Sequence, residues 1–450
     1  MGRCGAVRGP GRRDAQDALG SATPSRPPAA PPPPSPPPLL TTPSAAGSSS
    51  WRFDVFGFEA QLNRREAAAA SSAAQRPATL LVYYLLDYQG TIDTFGLDRK
   101  KLLRWLTKVE EGYSGANAYH NALHAADVTA SLYYFLQQPA LARHTSPLDM
   151  LAALLAAVVH DLGHPGVNNT FLETTRDALS VTYNDSSVLE NHHISTAFTL
   201  LAHDECNWAE ALSEDQYRDL RETMIGMVLG TDMKAHFEHL TKFKSKLAGD
   251  GFGEHLERKD VRLLLLMALH AADICNPAKP RELSLQWSAR VMEEFFAQGD
   301  RERALGLPIS PFMDRTKEPV TTTITKCQVG FINVLVRPFF QEWSTFLGEA
   351  FAREVLPLLS ANAKLWENEG AEICETVPAF SSLISRPGEG WSKSPGQTRR
   401  RSLLDGLKIS SKALASSVSP SSVRPPQAPL QPDSAAPTPV GSERKSESRV

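Results

Sequence analysis

The sequence has few cysteines, little net charge and no apolar run long enough to cross a membrane. Its five cysteines stand apart and include no Cys-x-x-Cys pair, which argues against a disulfide framework and indicates reduced thiols in a cytoplasmic protein. The net charge is −3, and no basic stripe runs through the central part of the chain, so we expect no binding of nucleic acid. No apolar run approaches the ~18 residues that a membrane-spanning helix needs.

Both ends of the chain lack an apolar period. Residues 1–50 contain the proline runs 31–34 and 36–38, and residues 386–450 are rich in serine and proline. Neither end can bury enough apolar surface to offset the entropy of ordering, so we expect two disordered tails around one domain at 51–385. The proline-rich tail is a candidate ligand for groove-binding domains. Its first residues are also compatible with membrane association or organelle targeting, although a plain solvated tail fits them better.

Strand signals are also missing. Apolar residues recur at helical spacing throughout the central region, and no series of stretches alternates with period two. The pattern therefore predicts an all-α domain of a dozen or more helices. The clearest predicted helices are at residues 120–137, 148–161, 187–202, 215–230, 260–273, 282–298, 326–348 and 351–369.

Histidine is absent from both tails, since all 12 histidines lie within residues 120–270. A long apolar run at 150–159 leads into HDLGHPG at 160–166. One helical turn would place His160 and His164 on the same face, and the following Pro-Gly pair would end the helix. Two imidazoles and a carboxylate at the end of an apolar helix are typical of a metal pocket and unfavourable in a core.

Two further segments repeat this pattern. In YHNALH, residues 119–124, His120 and His124 are again four residues apart. HAAD, residues 270–273, closes another apolar helix with Asp273, whose burial would be costly without a cation. A single histidine on an apolar helix is more often a hydrogen-bonded core residue. Three such clusters in one chain favour a metal site.

The clusters supply two imidazoles and two carboxylates, from His124, His160, Asp161 and Asp273, which suit Zn²⁺. A carboxylate of this set could bridge to a harder ion, Mg²⁺ or Mn²⁺. A pair of divalent metals would clamp a phosphodiester and make hydroxide at neutral pH. His120 would remain unliganded beside the ions, where a general acid can protonate a leaving alkoxide.

These segments resemble the signature of class I 3′,5′-cyclic nucleotide phosphodiesterases. The resemblance covers residues 51–369, and the motifs occur in the order that the family shows. They are YHNALH (119–124), HDLGHPGVNNTF (160–171), SVLENHH (187–193), EFFAQGD (294–300), SP and DR (310–311 and 314–315) and QVGF (328–331).

The resemblance implies a role for each matching residue. It makes His120 the general acid and Asp161 the bridge between two metals. The ligands of the first metal would be His124, His160, Asp161 and Asp273. The residues that hold the metal-bound waters would be His164, Glu190 and Thr231. The residues around the purine would be Gln328 as its hydrogen-bond partner, Phe331 and Val291 packed on its two faces, Asn276 as a further contact, and Tyr119, Met233 and Trp287 as pocket lining.

The same resemblance implies a substrate. Asn276 at its position resembles the cAMP-selective subfamilies, and WRFDVF (51–56) and ELSLQWS (282–288) look most like the seventh mammalian type. The expected reaction is hydrolysis of cAMP to the 5′-nucleoside monophosphate. Hydrolysis of both cAMP and cGMP is the first alternative. The Thr-rich segment 316–325 departs from the family pattern in the loop that covers the purine, which bears on affinity and inhibitor response. A nucleotide phosphohydrolase of the wider His-Asp group and an inactive scaffold fit less well, since QVGF and a complete ligand set favour a working cyclic nucleotide site.

The C-terminal tail contains RRRSL at residues 399–403. This sequence indicates phosphorylation of Ser402 by a kinase that prefers basic residues. An unmodified basic patch explains the same residues equally well.

Overall fold

A computed structural model describes residues 50–69, 76–249, 252, 256–317 and 319–384, which fall in one compact unit. These ranges contain helices and no strand, so the prediction of an all-α domain is confirmed. The predicted tails, with Ser402 and the proline runs, lie outside the described residues apart from Ser50. The α-helices are α1 Val55–Ala69, α2 Pro77–Tyr88, α3 Thr91–Thr94, α4 Arg99–Glu111, α5 Ala122–Leu136, α6 Pro139–Ala142, α7 Pro147–Val159, α8 Asn169–Thr175, α9 Ala178–Tyr183, α10 Val188–Leu201, α11 Glu214–Leu229, α12 His236–Leu247, α13 Arg258–Asp273, α14 Arg281–Ala304, α15 Val320–Gly330, α16 Arg337–Leu347, α17 Glu349–Thr376 and α18 Ser381–Ile384.

Helices α5 and α7 form the centre of the domain. Residues 123–136 of α5 and 149–159 of α7 are buried without interruption, so water reaches neither helix along these stretches. They pack against each other, and α11 and α13 pack on them. A helix that is apolar all round must lie inside the protein. The site histidines at the ends of α5 and α7 are therefore held by fully buried helices. No helix among the described residues combines the length and the apolarity that crossing a bilayer requires.

The start of α5 corrects the predicted helix 120–137. The Asn121 side chain caps the helix by accepting hydrogen bonds from the N–H groups of Leu123 and His124. Its backbone is extended, so the residue before it cannot continue the helical path. His120 consequently lies in the preceding turn and shares no helix face with His124.

The end of α7 corrects the predicted helix 148–161 in the same way. The helix ends at Val159, and a turn follows in which Gly163 has a φ of 80°. A side chain at Gly163 would be strained by that φ, and its Cβ would lie 2.8 Å from His192 Nε2. His160 and His164 therefore do not sit one helical turn apart, and the predicted stop at Pro165 comes too late.

The predicted helix 326–348 is interrupted by a wider π-turn at Phe331–Val336, between α15 and α16. There the N–H of Arg337 donates to the carbonyl of Ile332, five residues earlier. Pro338 explains the interruption, because proline has no N–H and its ring would clash with the carbonyl four residues before it.

Candidate active site

The four predicted metal ligands lie close together, although they come from three separate helices. His124 lies in the first turn of α5, His160 and Asp161 follow α7 directly, and Asp273 is the last residue of α13. The ligand atoms of all four lie within 4.8 Å of one another. His124 Nε2 is 3.1 Å from Asp273 Oδ1 and 3.5 Å from Asp161 Oδ2, and His160 Nε2 is 3.4 Å and 3.2 Å from the same two atoms.

This arrangement fits a divalent cation. Two ligand atoms that are each ~2.1 Å from Zn²⁺, at angles of ~90–110°, lie ~3.0–3.4 Å apart, close to the separations within the cluster. His160 Nε2 and Asp161 Oδ2 are buried and form no hydrogen bond with the described residues. His160 Nδ1 faces the carbonyl of Ala157 at 2.8 Å and must donate its hydrogen there, which leaves the lone pair of Nε2 directed at the cluster.

The pKa shifts within the cluster also indicate that it binds a positive charge. Burial lowers the pKa of His160, but the carboxylates of Asp161 and Asp273 raise it well above the usual value. Burial raises the pKa of Asp161, but His160 and His120 lower it well below the usual value. The two carboxylates are largely buried, at 13% and 20% side-chain exposure, and therefore demand positive charge, which protonated histidines or a metal ion can supply.

His120 forms a second pair with Glu294, on α14. His120 Nδ1 lies 2.5 Å from Glu294 Oε1, and Glu294 Oε2 accepts hydrogen bonds from the N–H groups of Tyr119 and His120 at 2.9 and 3.0 Å. Burial lowers the pKa of His120, but the charges of Glu294 and Asp161 raise it to about 9. Burial raises the pKa of Glu294, but His120 lowers it to about 2. His120 is therefore protonated at neutral pH and has a proton to give.

His164 lies with this pair and not with the four-residue cluster. Its ring stacks on the ring of His120 with centroids 4.0 Å apart, and ligand atoms of His120, His164 and Glu294 lie within 4.8 Å of one another. The N–H of Gly166 donates to His164 Nδ1 at 3.0 Å. Burial and then the charge of His120 lower the pKa of His164 well below its usual value. Because Nδ1 accepts from Gly166, a neutral His164 carries its hydrogen on Nε2 and can donate it at the cavity wall.

A cavity of about 580 Å³ opens over these groups, and the predicted residues Glu190, Thr231 and Met233 line it with His120, Asp161, His164 and Asp273. Asn169 Nδ2 donates to Glu190 at 3.0 Å. Burial, followed by the charge of Asp232, raises the pKa of Glu190 to about 7. Thr231 Oγ1 donates to the carbonyl of Val228 at 2.8 Å, which leaves its oxygen lone pairs available on the cavity side.

Two of the residues predicted to hold a purine are joined by a hydrogen bond, and a third is held by a neighbouring serine. Asn276 Nδ2 donates to the hydroxyl of Tyr119 at 2.5 Å, and Ser288 Oγ donates to Gln328 Oε1 at 2.9 Å. Val291 and Phe331 are both half-buried. Among the residues that the structure describes, Tyr119, Asn276, Gln328, Val291 and Phe331 are absent from the wall of the 580 Å³ cavity.

Several residues of the site had no role in the sequence analysis. Glu294 lies inside the EFFAQGD motif, but nothing local marks it as the partner of a residue 174 positions away. His193, in SVLENHH, places Nε2 3.7 Å from Asp161 Oδ1 and Nδ1 2.7 Å from the carbonyl of Leu162. Asp232 accepts a hydrogen bond from Ser187 Oγ at 2.8 Å across the cavity wall. The family motifs contain Glu294 and His193, whereas no motif of the sequence analysis contains Asp232.

The chain is similar to proteins that are named as cyclic nucleotide phosphodiesterases. The family profile described as 3′5′-cyclic nucleotide phosphodiesterase matches residues 119–355. The 3′,5′-cyclic-AMP phosphodiesterase 4C of Rattus norvegicus is 38% identical over 326 residues, which are 71% of this chain and 58% of the rat protein. The 3′,5′-cyclic-nucleotide phosphodiesterase regA of Dictyostelium discoideum is 40% identical over 275 residues, 61% of this chain and 34% of that protein. The chain thus spans less than two thirds of these relatives.

A solved structure shows the same fold. The phosphodiesterase domain of the rhodopsin phosphodiesterase from the choanoflagellate Salpingoeca rosetta superposes with a TM-score of 0.63 and 32% sequence identity, over 75% of this chain and 97% of that domain. The family profile covers more than half of the chain, and its range contains the four-residue cluster, the His120–Glu294 pair and the cavity. The chain therefore belongs to the 3′5′-cyclic nucleotide phosphodiesterase family.

Proposed function

We propose that this chain is a metal-dependent phosphodiesterase that hydrolyses a 3′,5′-cyclic nucleotide, cAMP in preference to cGMP, to the 5′-nucleoside monophosphate. The observation that carries the proposal is the placement of His120, paired with Glu294, beside a largely buried cluster that fits a cation. Relatives named as cAMP phosphodiesterases support the choice of substrate.

The metals that we assign are Zn²⁺ at the first position and Mg²⁺ or Mn²⁺ at the second, and enzymes of this family use divalent metals. His124, His160, Asp161 and Asp273 would hold the first ion, and Asp161 would reach the second, with His164, Glu190 and Thr231 around it. When bound, two divalent ions supply Lewis acidity toward the phosphoryl oxygens and hydroxide at neutral pH.

The charge of the cavity supports a need for cations. Six carboxyl groups line its wall, and Lys234 is the only lysine or arginine there among the described residues. An anionic phosphodiester would be repelled by these carboxylates unless positive ions neutralised them. The carboxyl groups belong to Asp161, Glu173, Glu190, Asp232, Asp273 and Glu294.

The proton in the reaction comes from His120. The attacking water gives up one proton to solvent as its oxygen bonds to phosphorus. The bond from phosphorus to O3′ breaks, the departing O3′ takes the proton that His120 carries, and His120 takes up a proton from solvent afterwards. Glu294 keeps the imidazole protonated and fixes the ring through Nδ1, so that Nε2 is the nitrogen that donates. Glu294 also binds the backbone N–H of His120, which keeps the residue in its turn.

We assign the purine to the group formed by Gln328, Asn276, Tyr119, Val291 and Phe331, with Met233 at the edge of the cavity. An aromatic face stacked on a base contributes roughly 1–3 kcal/mol, and a side-chain amide pairs with a purine edge. The match of Asn276 and of WRFDVF at 51–56 supports the cAMP-selective subfamilies and, among them, the seventh mammalian type.

A dual cAMP and cGMP phosphodiesterase is the second candidate. Ser288 donates to Gln328 Oε1, which fixes the orientation of the amide and leaves its NH₂ available to donate to a base. Adenine and guanine both present acceptors to such a donor, so this orientation alone does not discriminate between them. This observation favours measuring both substrates together.

The test is steady-state kinetics with cAMP and cGMP in parallel, with and without a chelator. We expect a higher kcat/KM for cAMP, loss of turnover of both nucleotides after divalent ions are removed, and recovery when Zn²⁺ and Mg²⁺ are restored, because the carboxylate-rich cavity cannot accept a phosphodiester without them. Equal kcat/KM values would establish the dual enzyme. Undiminished turnover after complete metal removal would contradict the proposal.

We also propose that the protein is cytoplasmic and that Ser402 is phosphorylated by a cAMP-dependent kinase. The four described cysteines are free and buried, as in reduced proteins. Three arginines precede Ser402, and a kinase with an acidic substrate groove recognises such a run. Incubation with the kinase and labelled ATP should label the wild-type chain and leave Ser402→Ala unlabelled. Absence of label from the wild type would refute the proposed site.

A further inference from the structure

Residues 51–56, which we call the N-terminal clamp, lie outside the segment that the family profile matches, yet they contact the candidate site. The first contact is made by Phe56. Its ring centroid lies 4.8 Å from that of Trp287, and the Trp287 ring lies 5.5 Å from Tyr119 and 5.8 Å from His124. One aromatic side chain thus separates the clamp from a predicted metal ligand.

Arg290 reinforces this contact. Its guanidinium group lies 5.0 Å from the centroid of Phe56 and 5.9 Å from that of Trp287, so the cation covers both rings. Arg290 Nη1 also donates to the carbonyl of Ala118, next to Tyr119, at 3.4 Å. Loss of the Phe56 ring would leave both Trp287 and Arg290 without a packing partner on that side.

The second contact is made by Trp51, which is fully buried. Its Nε1 donates to the carbonyl of Ala278 at 2.8 Å, and Lys279 Nζ lies 4.3 Å from its ring centroid. Lys279 is 1% exposed, so the clamp covers a buried cation. The turn that Trp51 fixes, Asn276–Ala278, begins with the residue that donates to the Tyr119 hydroxyl.

Both contacts lead to Tyr119, through Trp287 on one side and through Asn276 on the other. We infer that Phe56 and Trp51 are positioning residues, which hold Trp287 and Asn276 against Tyr119 at the end of the site where the base binds. This inference rests on the proposed function, because it assigns Tyr119 and Asn276 to the substrate. Trp287 also packs on His124, but polar contacts that the clamp does not make fix the metal cluster and the His120–Glu294 pair. The clamp therefore acts on substrate binding more than on turnover.

The test is Phe56→Ala, which is practical because Phe56 is only half-buried. We expect KM for cAMP to rise about tenfold with kcat within about twofold of wild type, since displacement of a substrate-contacting group by a remote substitution weakens positioning. Metal content should not change. Phe56→Tyr keeps the ring and should restore the wild-type KM.

Phe53→Leu is the matched control. Phe53 belongs to the same segment, is 1% exposed and packs on Phe58 at 5.8 Å, whereas the described ring contacts do not join it to Trp287. This variant should melt at a lower temperature and keep the wild-type KM. Wild-type turnover with an unchanged KM in Phe56→Ala overturns this inference alone. A wild-type chain that hydrolyses neither cAMP nor cGMP overturns the proposed function and this inference with it.

Discussion

Asp161→Ala should abolish hydrolysis and remove bound metal. Asp161 lies 3.2 and 3.5 Å from the two histidines of the cluster, faces the cavity, and is the residue that we assign to both ions. Loss of a metal that stabilises charge in the transition state removes several kcal/mol, so turnover should fall by at least ~10³-fold. The measurements are kcat and metal content per chain, the latter by elemental analysis after dialysis.

A second measurement separates lost metal from lost folding. A cation that binds only the folded chain raises its melting temperature, so wild type should melt lower in chelator than in Zn²⁺. Asp161→Ala should melt at the same temperature in both. Asp177→Asn is the control, because Asp177 caps α9 away from the cluster, and its activity and metal response should match wild type. An Asp161→Ala protein that keeps full metal content and turnover would disprove the assignment.

The four ligands of the proposed metal site could be selected from the sequence because each lies at the end of an apolar helix. A polar residue in that position is costly to bury, and three such ends in one chain must meet where the helices converge. The reason given for the histidine pairs was nevertheless wrong. The cap at Asn121 and the positive φ of Gly163 both break the helix between the paired histidines. The spacing of the histidines marked the right segments of the chain, but the local backbone geometry sets the direction of each side chain.

Glu294 shows why the other residues of the site could not be predicted from the sequence. It pairs with His120 because α14 packs across the turn before α5, and that packing depends on contacts between residues far apart in the sequence. Only a family motif marked it. The contact made by the N-terminal clamp was also unpredictable, since nothing in WRFDVF indicates that Phe56 will lie on Trp287. The helices follow from periodicity, whereas the partners of buried charges follow from the packed domain.

His120→Ala should lower kcat by about 10²–10⁴-fold while the metal stays bound, because proton donation by a positioned side chain contributes that much. The KM for cAMP should change little, since His120 belongs to none of the contacts assigned to the base. His203→Ala, a histidine beyond the end of α10 and outside the cavity wall, is the control. Wild-type turnover in His120→Ala would show that another group supplies the proton.

Glu294→Gln also tests whether His120 is the proton donor, through the pKa of His120. The amide can still accept hydrogen bonds from the backbone of Tyr119 and His120, but it lacks the charge that raises the pKa of His120. An acid acts only while protonated, so activity is lost as pH rises through its pKa. The variant should therefore lose activity at a lower pH than wild type, with metal content unchanged. If the alkaline limb of the pH–rate profile does not move, Glu294 does not set the protonation of His120, and its role is limited to holding the turn.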